Sequence, residues 1–160
     1  MGIIRSRAKM MLEAHADGVD FSSIVTLGRQ KNNMTKRELT YLRKMYNIAP
    51  HPDSDELLQY RSYADYFFLH YLGVKNLSVI DNSNYENADI IHDMNQPIPQ
   101  SLCESFDVVI DGGTLEHVFN FPTAIKNCMM MIKTGGSIFI FSMANNHCGH
   151  GFYQFSQNYF

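Results

Sequence analysis

The stretch FDVVIDGGTLEHV, residues 106–118, decides how the rest of the chain is read. Phe106, Val108, Val109 and Ile110 make a nearly continuous branched and aromatic run of strand length, the pattern of a strand buried on both faces of a parallel sheet. The run breaks at Asp111 into two glycines and then a helix-like segment. In open α/β sheets ligands lie beyond the carboxyl ends of the strands, so Asp111, Gly112 and Gly113 are expected at the floor or rim of a site.

Working outward from this stretch, the chain alternates strands and helices. Downstream, Pro122 suits a first helical turn, and Ala124, Ile125, Cys128, Met129 and Ile132 give that helix one apolar face. Gly135-Gly136 is read as its stop, with a strand over 137–141 and polar residues 142–147 after it. Upstream, residues 77–80 read as a strand ending in Asp81-Asn82, and residues 88–91 as another ending in His92-Asp93-Met94-Asn95. Only residues 82–87 separate these two, too few for the usual helical crossover between parallel strands. Ser23–Leu27 is a strand that meets Gly28 and a polar loop.

Thr35 and Glu38 have capping-box spacing, predicting a helix that ends near Asn47 with Leu39, Leu42, Met45 and Tyr46 on its apolar side. A Pro-rich loop follows over 49–54. A helix over 55–72 is predicted from Tyr60, Ala64, Phe67, Phe68 and Tyr71, with Gly73 as its stop. Residues 3–16 read as an amphipathic covering helix. The fold class is therefore α/β, a mainly parallel sheet of about five strands with helices on both faces.

The chain of 160 residues suits one domain. Its net charge of −3 comes from interspersed acids and bases, which speaks against a nucleic-acid-binding face and against a polybasic membrane anchor. Cys103, Cys128 and Cys148 lack paired zinc spacing and follow no signal sequence, so reduced thiols in a cytoplasmic protein are expected. The longest apolar stretch, about 128–143, is cut by Lys133-Thr134-Gly135-Gly136, so no membrane span is expected.

The block FDVVIDGGTLEHV, its following helix, the Lys133-Thr134-Gly135-Gly136 turn and the strand SIFIF together resemble the fourth-to-fifth strand region of class I S-adenosylmethionine-dependent methyltransferases. The resemblance extends back to Ser23 and implies a Rossmann-like domain: a core over 21–148, an N-terminal helical cap over 1–20 and a tail over 149–160. It also implies S-adenosylmethionine as cofactor. By that resemblance Gly28 stands at the cofactor loop, Asp81 with Asn82 at the ribose hydroxyls, Asp93 with Met94 at the adenine, and Asp111-Gly112 beside the methionine moiety. The chain departs from the family where a Gly-x-Gly-x-Gly loop is expected and Leu27-Gly28-Arg29-Gln30 stands. Further departures are the extra helix and Pro-rich loop after the first strand, and the family's two additional strands after SIFIF.

Glu116 and His117 have three readings: the start of a structural helix, acid–base residues facing an acceptor, or metal ligands. Some related O-methyltransferases use a Glu and a His here for a metal, but their additional upstream carboxylate falls at Gly113, so no metal is expected. His147, Cys148 and His150 resemble half a metal cluster without a matching half-site, and read as substrate-loop or exposed residues. Asn145-Asn146 read as turn formers that can also meet a substrate.

The expected activity is methyl transfer to an unidentified small-molecule acceptor. A non-catalytic binding or assembly module of the same fold is the alternative, whereas a nicotinamide dehydrogenase would need a Gly-x-Gly-x-x-Gly fingerprint that the chain lacks. The apolar edge of SIFIF and the aromatics Phe152, Tyr153, Phe155, Tyr159 and Phe160 suggest either a piece of a longer protein or a homodimer formed through that edge and tail.

Overall fold

The computed structural model describes residues 2–51 and 61–156. The elements are β1 (Gly2–Ile3), α1 (Arg5–Ala16), β2 (Ser23–Leu27), β3 (Lys31–Asn32), α2 (Lys36–Met45), α3 (Asp65–Tyr71), β4 (Asn76–Asp81), β5 (Ile90–Ile91), β6 (Phe106–Asp111), α4 (Phe121–Met131) and β7 (Ile132–Ile140). Two 3-10 turns, Gln100–Leu102 and Leu115–His117, flank β6.

The main sheet has five parallel strands in the order β5-β4-β2-β6-β7, the Rossmann-like α/β arrangement. Side chains alternate across it and build two cores. Ile24, Val108, Ile110 and Phe139 face one way and pack with Met11 and Leu12 of α1, Leu39 and Leu42 of α2, and Phe67 and Phe68 of α3. Val25, Leu27 and Val109 face the other way and pack with Phe121, Ala124, Cys128 and Met131 of α4. Both faces of β2 and β6 are thus covered, which is why their sequences are apolar almost without interruption.

The predicted capping box is present: the Glu38 N–H donates to Thr35 Oγ1 at 3.3 Å, and the Thr35 N–H donates to Glu38 Oε2 at 2.9 Å. The short link between β4 and β5 also forms without a helix. β5 is a two-residue edge strand, and Asp89 pins the link beside β4 through two bonds with Val79, the Asp89 N–H to the carbonyl and the Val79 N–H to Asp89 Oδ2, each 2.9 Å.

Two expected elements are corrected. The helix predicted over 55–72 starts, among the described residues, only at Asp65; Tyr60 and the rest of 55–60 lie outside them. Residues 61–64 are instead held as an irregular turn against the loop after β2. Arg61 has φ 70°, Tyr63 forms an antiparallel bridge with Lys31, and the Ala64 N–H donates to the Gln30 carbonyl at 2.8 Å.

The second correction concerns Gly135-Gly136. α4 ends earlier, at Met131, and β7 begins at Ile132, so these glycines lie in a bulge inside the strand. Phe106 pairs with Ile132 while Val108 pairs with Ser137, so the extra residues of β7 loop out opposite Asp107. Gly135 has φ 86°. A Cβ on Gly136 would stand 2.5 Å from the Asp107 carbonyl oxygen.

The described tail does not stand uncovered. Phe155 is buried with its ring 4.6 Å from Phe121, and the Tyr153 hydroxyl donates to the Phe119 carbonyl at 2.6 Å. Phe152 remains exposed beside Phe119, and β7 has no further strand on its outer side among the described residues. Cys103, Cys128 and Cys148 are free. No helix among the described residues is long and apolar enough to cross a membrane.

The bulge makes Gly136 intolerant of a side chain, because a Cβ there would meet both Ile132 Cγ2 and the Asp107 backbone carbonyl. Gly136→Ala is expected to cost about 1–3 kcal/mol in urea unfolding. An unchanged midpoint would show that β7 relaxes around the added methyl.

Candidate functional site

Strand register brings three strand ends level. Leu27 of β2 pairs with Ile80 on one side and Asp111 on the other, so Gly28, Asp81 and Gly112 emerge side by side. This is the switch point of the sheet, where successive connections run to opposite sides of β2. A cleft of about 230 Å³ opens there, lined by residues 27–31, Asp81, Glu86 and residues 112–114.

The expected site residues divide around this cleft. Gly28 (φ 67°) lines it, and a Cβ there would stand 3.5 Å from both Asp81 Oδ2 and Thr114 Oγ1. Asp81 lines it too, and its Oδ1 accepts the Ser83 N–H at 3.3 Å. Asn82 is exposed and does not line the cleft. Asp93 is exposed, its carboxylate taken by the Asn95 backbone N–H at 2.9 Å and side-chain amide at 2.7 Å; the backbone bond above all lowers its pKa. Met94 is buried in the α4-side core. Gly112 lines the cleft, but the space above it is filled by the side chain of Gln30, whose Oε1 lies 1.8 Å from where a Cβ would be.

Gln30 and Arg29 shape the cleft in ways that sequence reading did not find. The Gln30 amide donates to the Leu27 and Gly28 carbonyls at 3.0 Å each, while its buried Oε1 has no hydrogen-bond partner among the described residues. Arg29 pairs with Asp65 and donates to the Glu86 and Asn87 carbonyls at 3.3 Å, tying α3 and the 86–87 segment into one wall. Its guanidinium also lies 4.8 Å over the Tyr63 ring. The only sequence signal was the polar loop after the strand.

Asp111 faces inward and does not line the cleft. Its Oδ1 accepts the N–H groups of Gly113 (3.1 Å), Thr114 (2.7 Å) and Leu115 (3.3 Å), and Oδ2 has no partner among the described residues. Burial pushes its pKa up to about 6, with the Thr114 N–H opposing and the nearby Glu116 charge adding to the rise.

Beyond this turn, Glu116 is buried and His117 exposed. The helix-like segment is a single 3-10 turn, so neither residue starts a long helix. Ser142 Oγ donates to Glu116 Oε2 at 3.2 Å, and His150 Nε2 lies 3.9 Å from Oε1. Arg7 of α1 reaches the same region, donating to the Gly112 and Phe141 carbonyls at 3.3 Å each. Burial lowers the Arg7 pKa, and attraction to Asp111 and Glu116 opposes the shift. Nothing in the N-terminal sequence distinguishes Arg7 from the other basic residues of its helix.

The fold and this cleft define a Rossmann-like α/β domain with an opening at its switch point. Comparison with protein-family models, with curated proteins and with solved structures gives no match for the chain.

The raised Asp111 pKa has a signed consequence for stability. Between pH 3.8 and about 6 the folded chain keeps a proton that the unfolded chain releases, so stability from this group is present at low pH and is lost as pH rises through about 6. Relative to Asp111→Asn, which does not titrate, the wild type is expected to lose roughly 3 kcal/mol between pH 3 and pH 7 in chemical unfolding. A difference independent of pH would show that Asp111 stays ionised throughout.

Proposed function

We propose that the chain is a methyltransferase domain that binds S-adenosylmethionine in the switch-point cleft and serves a small-molecule acceptor. The observation that carries this reading is the juxtaposition of Gly28, in a left-handed conformation, with the Asp81 carboxylate at the level ends of β2 and β4. A carboxylate so placed accepts two ribose hydroxyls, and the bare Cα of Gly28 leaves room for a ligand beside it. Gln30 Oε1, buried and unpartnered, supplies an acceptor suited to an ammonium group.

S-adenosylmethionine, when bound, supplies an electrophilic methyl group on a sulfonium. The chain's contribution is alignment and the replacement of water by fixed dipoles, chiefly the carbonyls and side chains that edge the cleft. Glu116 and His117 follow directly after the cleft wall at Thr114, where an acceptor nucleophile would be oriented and relieved of its proton.

A second reading, a non-catalytic binding or assembly module, is favoured by the filled space above Gly112 and by a volume below the roughly 300–1,000 Å³ of ordinary small-molecule pockets. Cofactor binding without turnover on any acceptor distinguishes it.

Calorimetric titration with S-adenosylhomocysteine tests the reading without knowledge of the acceptor. Saturable binding is expected, and Asp81→Ala should weaken it by about tenfold or more, since hydrogen bonds to a charged group are worth about 1.5–3 kcal/mol each. Circular dichroism should show the fold retained. Absence of binding to the wild type would sink the proposal, and unchanged affinity in Asp81→Ala would return that residue to a turn-forming role. Once an acceptor is found, Glu116→Gln or His117→Ala should lower turnover more than S-adenosylhomocysteine affinity; wild-type rates in both would leave them structural.

A further inference from the structure

His150, which follows β7, meets Glu116 and His117, which follow the adjacent parallel strand β6. Glu116, His117 and His150 each present a ligand atom within 4.8 Å of the others. Their grouping is imposed by backbone contacts. The Tyr153 N–H donates to the Glu116 carbonyl at 3.1 Å, and Gly151 packs so closely that a Cβ there would stand 2.6 Å from that oxygen and 3.2 Å from His117 Nδ1. Glycine is therefore required at 151 for the segment carrying His150 to lie on the 3-10 turn.

The buried carboxylate is the second, independent observation. Glu116 has a side-chain exposure of 2%, and its Oε2 is satisfied by Ser142, but Oε1 has no hydrogen-bond partner among the described residues. A buried carboxylate oxygen left bare is costly, and such groups are normally paired or coordinate a metal. The nearest candidate, His150 Nε2, lies at 3.9 Å, too far for a hydrogen bond. It is close to the spacing of two donors on one ion, since bonds of about 2.0–2.2 Å set cis ligands roughly 3–3.5 Å apart. The two imidazoles stand 4.8 Å apart between ring centroids and 68° from coplanar, so they do not block each other by stacking.

We propose that Glu116, His117 and His150 bind one divalent transition-metal ion of the zinc class. Two imidazoles and one carboxylate match the donors of zinc and its first-row neighbours, whereas magnesium and calcium call for all-oxygen sets. Three protein ligands leave at least one coordination position open. Because His117 and His150 are exposed, that position faces solvent and can hold water or an oxygen of a small molecule. The ion would occupy Glu116 and His117 in place of their acid–base role, whereas neither residue lines the cleft, so metal binding stands or falls apart from S-adenosylmethionine binding there.

The test uses the full chain freed of metal by a chelator and titrated with Zn²⁺ by calorimetry, with Co²⁺ visible absorption as the spectroscopic readout. One equivalent should bind, Mg²⁺ should not compete, and cobalt should show the bands of a nitrogen–oxygen site without thiolate charge transfer. Glu116→Gln and His150→Ala should each weaken Zn²⁺ binding by at least about tenfold. His150 is exposed, so its variant keeps the fold, as circular dichroism should verify. The double variant His147→Ala, Cys148→Ser should bind as the wild type does. No stoichiometric binding, an unchanged affinity in His150→Ala, or a loss seen only in the double variant would each overturn the proposal.

Discussion

One oxygen of a buried carboxylate organises the end of the central strands. Asp111 Oδ1 gathers three successive backbone N–H groups, those of Gly113, Thr114 and Leu115, at the point where β6 stops. Three donors converging on one acceptor fix the direction in which the chain leaves the sheet, and two dependent contacts follow. Thr114 Oγ1 donates to the Leu27 carbonyl at 2.8 Å, closing the wall between β2 and β6. Glu116 turns inward under the segment that carries His150. The cleft and the histidine cluster are consequently two sides of one turn.

The other wall of the cleft is assembled from parts that would not hold alone. The loop after β2 has no long element of its own, yet it is gripped from both sides. β1 pairs with β3 on one side, and residues 61–64 bond to residues 30–32 on the other. Arg29 then extends this grip to α3 and the 86–87 segment. Such cross-linking substitutes for the stiffness of a tight glycine turn, and it explains how a loop with one glycine keeps a defined shape. Gln30 completes the substitution by bonding to the Leu27 and Gly28 carbonyls.

What was legible in the sequence was what is locally encoded. β2 and β6 were readable because burial on both faces demands unbroken apolar runs, and the Thr35–Glu38 box was readable because both partners lie within one helical turn. The switch-point residues Gly28, Asp81 and Gly112 followed from strand ends alone. The role of Gly135-Gly136 was misread because a glycine pair serves a helix stop and a bulge equally well, and only pairing with Asp107 chooses between them. Asp93 and Met94 carried the right residue types just after a strand, but the chain spends them on a local turn and on the core. Gln30 above Gly112, Arg7 across the sheet end and His150 beside Glu116 all depend on partners distant in sequence, for which periodicity and spacing carry no signal.

The N-terminal helix is more than a cover. Asp111 and Glu116 are both buried, and the Glu116 charge adds to the cost that burial sets on ionising Asp111. Arg7, delivered by α1, is the positive charge that faces both. Its guanidinium is also anchored to the Gly2, Gly112 and Phe141 carbonyls and packs 5.2 Å over the Phe141 ring, so the charge is held in place. Removing a partner from a buried charge set costs far more than the set itself contributes. The packing of Met11 and Leu12 against the sheet therefore fixes the electrostatics at the end of β6 as well as the core beneath it.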